Sequence, residues 1–582
     1  MMPIWLHALP GTVRRTLGSA LALALALAVT ACGGGGYTPL AVSQSDRRAL
    51  SDELLTRAAV NYSPYRTSAS EADLVNEVIT PDNVLQDLRL VQATGIGSIR
   101  LFSCRAFART VLEVIRDNGL DLVMQLGGYP NPINSPADEA DNIAELDKCI
   151  ELANEFPAIV HAVSIGNETM VEWSTHKVPV ADMARYITYV RDAIEQPVTT
   201  NDNWLFWASR EATQIAAVVD YAAVHVYPFL DTFYNPTAYD WRQKDVPEDQ
   251  RARAMIDATV AEARSQFERA REGLRRLNLG SMPMTIGETG WAAVDTPGGP
   301  NLAFRAHPVN QKLYFDALQL WAQEGRLDPQ GPKAIFYFQA FDEPWKQGDD
   351  GWGLFNAGRE ARYVLQSLGT CGTTWACERG SYTLADAVSW APPVVAPTVD
   401  ATRYTLYADT PVAGELRATG LRWDPFAATS WRDSTDGVPS ADGGAHLAIT
   451  PNPVDFGWGL FLRAADDSTE NLSAFAAGRV EFRVRSDGYP GKIEVGISSD
   501  TEDRDVQEAF VQIAPGDYGY CNTNVWCEVS IPVAAFLEAN PKIDLRLVNF
   551  RFIIADRFSF TGKPLNLTGL PLLRIDDIHW SR

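Results

Sequence analysis

The run Ile159-Val160-His161-Ala162-Val163-Ser164-Ile165-Gly166-Asn167-Glu168 is apolar and β-branched until its end, where an amide and a carboxylate stand. Met282-Pro283-Met284-Thr285-Ile286-Gly287-Glu288-Thr289-Gly290-Trp291 repeats the pattern, its apolar run again reaching a glutamate, Glu288. Near-continuous apolar runs, in contrast to alternating ones, are what parallel strands buried on both faces require. Working outward, six more segments read the same way: 60–65, 96–103, 120–127, 197–204, 221–229 and 334–341. Helical periods separate them at 83–94, 106–118, 140–155, 180–195, 211–219, 250–277 and 310–324. These β/α repeats predict an α/β fold, a (β/α)8 TIM barrel over residues 58–370. A doubly wound sheet is the runner-up, but no glycine-rich phosphate turn opens any of the helices.

Barrels of this kind place their chemistry at the carboxyl ends of the strands. Those ends carry Asn61, Tyr62 and Tyr65; Arg100 and Phe102; Gly127, Gly128 and Tyr129; Asn167 and Glu168. The later ones carry Asp202, Asn203 and Trp204; His225 and Tyr227; Glu288 and Trp291; and Phe341, Glu343, Trp345 and Lys346. Aromatics, amides and carboxylates without a phosphate cradle describe a sugar cleft. Glycoside hydrolysis needs two carboxylates, one to protonate the leaving oxygen and one to attack or to activate water. A single strand-end glutamate is ordinarily a solvated group. The pair Glu168 and Glu288, in this company, reads as catalytic. The seven histidines are scattered with no HExxH spacing, so neither a catalytic metal nor another catalytic cofactor is expected.

At Ile165-Gly166-Asn167-Glu168, Ile286-Gly287-Glu288-Thr289-Gly290-Trp291 and Phe341-Asp342-Glu343-Pro344-Trp345-Lys346 the chain resembles glycoside hydrolase family 17. Val60-Asn61-Tyr62, Ser98-Ile99-Arg100-Leu101-Phe102 and His225-Val226-Tyr227-Pro228-Phe229 extend the likeness over about residues 58–370. The resemblance implies a retaining β-1,3-glucanase (laminarinase) on a barrel, with Glu168 as acid/base and Glu288 as nucleophile, and endo action is expected. Glu288 must be ionised to attack, helped by Arg100 or Lys346, and Glu168 must hold its proton. Asn167 has the donor for a sugar 2-hydroxyl, and Tyr227 reaches the nucleophile or its sugar. Glu343 and Lys346 resemble the family's final Glu/Lys pair. Trp291, Trp345, Trp204 and Tyr62 are stacking candidates, with core packing the alternative for each tryptophan. The other readings are a β-1,3-glucanosyltransferase on the same site, a related-barrel cellulase or mannanase, and a surface lipoprotein that binds glycan without cutting it.

The remainder of the 582 residues bounds the setting. A net charge of −23 repels nucleic acid and suits a neutral polysaccharide, here β-glucan. Residues 1–32 read as a signal peptide: Arg14 and Arg15, an apolar stretch 17–29, and Val29-Thr30-Ala31-Cys32, which resembles a bacterial lipobox. The expectation is an exported monomer held at a bacterial membrane, the outer membrane among the alternatives, only through lipid on Cys32. Residues 33–57 then form a tether. Cys371 with Cys377 and Cys521 with Cys527 read as loop disulfides, while the pairing of Cys104 and Cys149 stays open. After a linker over 371–399, residues 400–582 change to short strands between Gly, Asp, Asn and Pro turns, a β-sandwich of jelly-roll type. Its ending, Leu573-Arg574-Ile575-Asp576-Asp577-Ile578-His579-Trp580, is similar to the last strand of jelly-roll carbohydrate-binding modules. That likeness implies a structural calcium near Asp576 and a domain that binds glucan or caps the barrel.

Overall fold

The computed structural model describes residue 43 and residues 46–582, apart from 106, 231–238, 297–303, 379, 427–429, 435–436, 441–443, 454–455 and 502–505. Cys32, the signal segment and part of the 231–248 loop lie outside the described residues. The chain divides into two compact units, Met1–Trp390 and Ala391–Arg582.

The first unit is a closed barrel of eight parallel strands in sequence order. They are β1 (Ala58–Asn61), β2 (Ile96–Arg100), β3 (Val123–Gly128), β4 (Val160–Asn167), β5 (Val198–Asn203), β6 (Ala222–His225), β7 (Met284–Thr289) and β8 (Ile335–Tyr337). Each predicted strand is present, most of them shorter than the apolar run that marks it, with β1 beginning two residues earlier, at Ala58. The helices are α1 (Asp52–Thr56), α2 (Pro81–Ala93), α3 (Ala108–Asp117), α4 (Pro136–Glu155), α5 (Val180–Arg191), α6 (Trp204–Ala208), α7 (Ala212–Ala216), α8 (Glu248–Arg276) and α9 (Pro308–Leu327). Their starts follow capping chemistry: Thr80 and Ser135 accept the Asn83 and Asp138 N–H, each ahead of a proline at the first helical position. α8 opens on Glu248 and Asp249 and closes on Arg275 and Arg276, matching the helix dipole at both ends.

A small cluster plugs the amino-terminal end of the barrel: Leu54, Ala59, Val123, Ala162, Tyr221, Ala223, Ala334 and Phe336. The segment read as free tether is latched there. The Arg48 N–H donates to Asp220 Oδ1 at 2.9 Å, and its guanidinium donates to the Gln196 and Arg191 carbonyls at 2.9 and 2.8 Å. Arg191 pairs with the same Asp220 at 2.9 Å, and Ser51 Oγ lies 2.8 Å from His161 Nδ1. Residues 46–57, read as part of a tether, are therefore part of the barrel's floor.

The linker is shorter too. Residues 371–390 belong with the barrel, where Ala361 N–H donates to Ala376 O and Arg251 and Asn310 donate to the Trp390 and Val388 carbonyls. Cys371–Cys377 and Cys521–Cys527 are disulfides, and Cys104 pairs with Cys149.

The second unit is a sandwich of two sheets. One runs in the order Leu421–Phe426, Gly457–Ala464, Val548–Arg557, Ile493–Ser499, Gln507–Ile513. The other is built around Leu573–Ser581, which pairs with Arg403–Tyr407, His446–Thr450 and Arg479–Ser486. Its core includes Trp458, Leu460, Phe482, Val495, Phe552 and Trp580. Asp576 is fully buried and accepts the Asp577 N–H at 2.8 Å. Among the described residues no group of three His, Cys, Asp or Glu side chains gathers around it.

Candidate active site

β7 delivers Glu288 to the mouth with its residue only 7% exposed. Three side chains, from β2, from β6 and from just beyond the end of β6, face its carboxylate. Arg100 Nη1 of β2 lies 2.7 Å from Oε1, Tyr227 OH donates to Oε2 at 2.9 Å, and His225 Nε2 of β6 stands 3.6 Å from Oε1. Burial pushes this carboxyl up, but the positive charges of His225 and Arg100 with the two hydrogen bonds outweigh it, holding Glu288 below the ordinary carboxylate value. It is built to be an anion. Gly287 beside it has no room for a side chain: a Cβ there would lie 1.8 Å from Asn201 Oδ1.

β4 delivers Glu168 through a turn in which Gly166 has φ 94° and Glu168 itself φ 50°. A Cβ at Gly166 would meet Met183 Cε at 2.6 Å, so conformation and space both call for glycine. Glu168 N–H donates to Asn201 O of β5 at 2.9 Å, and its side chain is 28% exposed, far more open than Glu288. His225 Nδ1 lies 3.0 Å from Glu168 Oε1. One imidazole thus stands between the two glutamates, each ring nitrogen facing one carboxylate. Behind the turn, fully buried Asp202 accepts the Met170 N–H at 3.0 Å and the Asn203 N–H at 2.8 Å. Burial and then the charge of Glu168 push its carboxyl well above the usual range.

Arg100 ties the two halves together. Its Nη1 also donates to Asn61 Oδ1 at 3.1 Å and Gly287 O at 3.3 Å, while Nη2 donates to Asn167 Oδ1. With its oxygen turned to Arg100, Asn167 keeps its amide hydrogens for an incoming hydroxyl. Lys346, the alternative partner for Glu288, goes elsewhere: its Nζ lies 2.6 Å from Glu343 Oε2 and 4.4 Å from the centre of the Phe338 ring. Glu343 also accepts Trp345 Nε1–H at 3.0 Å, so Glu343, Trp345 and Lys346 form one unit at the rim after β8.

The aromatic expectations need correction. Tyr62 is fully buried and donates its hydroxyl to Asp87 at 3.2 Å, and Trp291 is 1% exposed with Nε1–H given to Arg305 O. Both are core: just past their strand ends, Tyr62 packs edge-on against Phe341, and Trp291 packs between Phe229 and Tyr314. Trp204 packs against Arg269 of α8, 4.4 Å from its ring centre. Trp345 stays half-buried at the rim. Missing from the sequence-based site were His225 as the link between the glutamates and Asn61 under Arg100, and Trp173 is 56% exposed on the loop after Glu168. His225 and Asn61 had a signal, their places at strand ends, and Trp173 had none.

The single group of three potential ligands among the described residues is Cys104, Glu145 and Cys149, and its two cysteines are joined to each other.

Residues 59–355 match the family model of the BtgE/BtgC glycoside hydrolase domain, and residues 431–566 match carbohydrate binding domain 30. A glucan 1,3-beta-glucosidase of Arthroderma benhamiae is 26% identical over 272 residues, 44% of this chain and 75% of that protein. One of Schizosaccharomyces pombe is 24% identical over 219 residues, 35% of this chain and 57% of that protein. Among solved structures, an endo-laminarinase from Formosa superposes with a TM-score of 0.51 at 23% identity, covering 59% of this chain and 97% of the other. That likeness supports the barrel fold.

Proposed function

Because the chain belongs to the BtgE/BtgC glycoside hydrolase family through its barrel domain, we propose that it cleaves β-1,3-glucan with retention, Glu288 attacking and Glu168 serving as acid and then base. The observation that carries this reading is the contrast between the two glutamates. Glu288 is buried and held ionised beside Arg100, Tyr227 and His225. Glu168 stands more open at the end of β4, joined to the same imidazole.

In the first step Glu168 gives its proton to the glycosidic oxygen while a Glu288 oxygen bonds to the anomeric carbon and the leaving sugar departs. In the second, Glu168, now a carboxylate, takes a proton from water, whose oxygen displaces Glu288 from that carbon. Asn167, oriented by Arg100, donates to the 2-hydroxyl, and Tyr227 steadies the nucleophile. The names of the curated relatives support β-1,3-glucan as substrate, and endo action follows if the mouth is open at both ends. The sandwich binds glucan, a role supported by its carbohydrate-binding match.

The protein is exported and lipid-anchored through Cys32. The latch of residues 46–57 on the barrel's floor supports an orientation in which the catalytic mouth faces away from the anchor. Incubation with laminarin, lichenan, cellulose and mannan, with the products sized, tests the substrate. Short oligosaccharides from laminarin are expected. Activity on cellulose or mannan with none on laminarin overturns the reading.

A further inference from the structure

We propose that the loop after β4 carries a binding platform for the sugar on the leaving-group side of the scissile bond, with Trp173 as its face, and that the same platform holds glucan acceptors for transfer. The inference rests on the reading of Glu168 as the acid, since a proton given to the glycosidic oxygen fixes the departing sugar on that residue's side.

From Glu168 the chain enters a loop closed at its neck, where Val178 N–H donates to Thr169 O at 2.9 Å. Ser174 N–H donates to Val171 O at 3.2 Å, and Lys177 pairs with Glu172 at 2.7 Å. His176 folds beneath, its Nε2 2.9 Å from Asn167 O and 3.2 Å from Tyr129 OH. The Tyr129 and His176 rings lie 5.1 Å apart at 34°. Tyr129 comes from the end of β3 and belongs to the mouth: after burial, the charges of Glu71, Glu288 and Glu168 push its phenol up to about 12. The loop is therefore braced from below by groups that touch or sense the catalytic centre.

On top of this brace Trp173 is 56% exposed, whereas Trp207, Trp291, Trp352, Trp458 and Trp580 are fully buried. An indole shown to water on a braced loop offers a flat apolar face of the kind that stacks on the apolar face of a pyranose. Barrel order puts β4 opposite β8. The loop that carries Trp173 therefore leaves the barrel across from the Glu343–Trp345–Lys346 segment, so a glucan lying over Glu288 can run towards both.

This position also bears on what resolves the glycosyl enzyme. If a glucan hydroxyl is held at Trp173 in place of water, Glu168 takes its proton. The hydroxyl oxygen then bonds to the anomeric carbon, the bond to Glu288 breaks, and Glu288 leaves as a carboxylate. Hydrolysis and transfer differ only in the acceptor.

The test compares wild type, Trp173→Ala and Trp173→Phe on laminarihexaose and on nitrophenyl β-laminaribioside, whose leaving group is not a sugar. For Trp173→Ala, kcat/KM on laminarihexaose is expected to fall by roughly ten-fold relative to its change on the aryl substrate, the size of one lost aromatic contact. The ratio of transfer to hydrolysis products falls with it, and Trp173→Phe restores most of both. Equal losses on the two substrates, or no loss on laminarihexaose, overturn the platform while leaving the assigned activity intact. A wild type inactive on laminarihexaose overturns that activity, and the platform with it.

Discussion

Arg100→Met is the perturbation that reads the nucleophile most directly. Arg100 is 1% exposed and gives Glu288 a guanidinium partner, at 2.7 Å. Removing one member of a buried pair costs about 3–5 kcal/mol, because the other charge is left without compensation. If about 3 kcal/mol of that falls on the ionised form of Glu288, its pKa rises by about two units. The sign follows from the wild-type state. Glu288 lies below the ordinary value of 4.5, so its ionised form stabilises the fold above that value, and this contribution is lost as pH falls through the depressed folded value. The acid limb of kcat/KM should accordingly lie below 4.5 in wild type. In the variant it moves up by about two units, and the plateau falls by about 100-fold, as when a fixed charge partner is lost. Arg100→Lys keeps a charge but not the fork that spans Glu288, Asn61 and Asn167, so its limb moves less while its plateau still drops. The assay is kcat/KM against pH on nitrophenyl β-laminaribioside, with thermal unfolding alongside to confirm folding. A folded Arg100→Met with the wild-type limb and a plateau within a few-fold of wild type refutes the reasoning.

Glu288→Ala should lose hydrolysis and, with azide, yield a glycosyl azide of inverted configuration, whereas Glu168→Ala with azide should yield the retained one; the same azide product from both variants contradicts the division of roles. Gly287→Ala drives a Cβ to within 1.8 Å of Asn201 Oδ1, so the nucleophile must shift; a fall in kcat of about 100-fold is expected, and kcat near wild type would show that the strand end yields without displacing Glu288. Replacing both Cys104 and Cys149 by alanine opens a link across 45 residues and should destabilise by about 4 kcal/mol in the chain-entropy relation. The same change at Cys371 and Cys377, 6 residues apart, should lose about 2 kcal/mol. Denaturant unfolding that ranks the two the other way contradicts this.

The barrel was legible because parallel strands buried on both faces need apolar runs, and the polar residues that end those runs, Asn167-Glu168 and Gly287-Glu288, are the ones aimed at the mouth. The same property hid which aromatics face the sugar. When both faces of a strand are buried, no polar alternation separates inside from outside, so Tyr62 and Trp291 read like platforms and proved to be core. Trp173 sits in a loop whose path is set by the His176 and Val178 hydrogen bonds, which no periodicity encodes. His225 belongs to no metal or nucleophile spacing, and its place between the glutamates depends on strands that only the closed barrel brings together. Arg48 likewise looked like part of a tether until Asp220, far along the chain, gave it a partner.

The central claim is that Glu288 forms a covalent bond to the anomeric carbon. Incubation with a fluorinated laminaribiosyl fluoride that forms the glycosyl enzyme quickly and releases it slowly, followed by peptide mapping by mass spectrometry, tests it directly. The account predicts a single added laminaribiosyl mass on the peptide that carries Glu288, absent in Glu288→Ala. A label on Glu168, or full turnover with inversion and no label on any peptide, would contradict it.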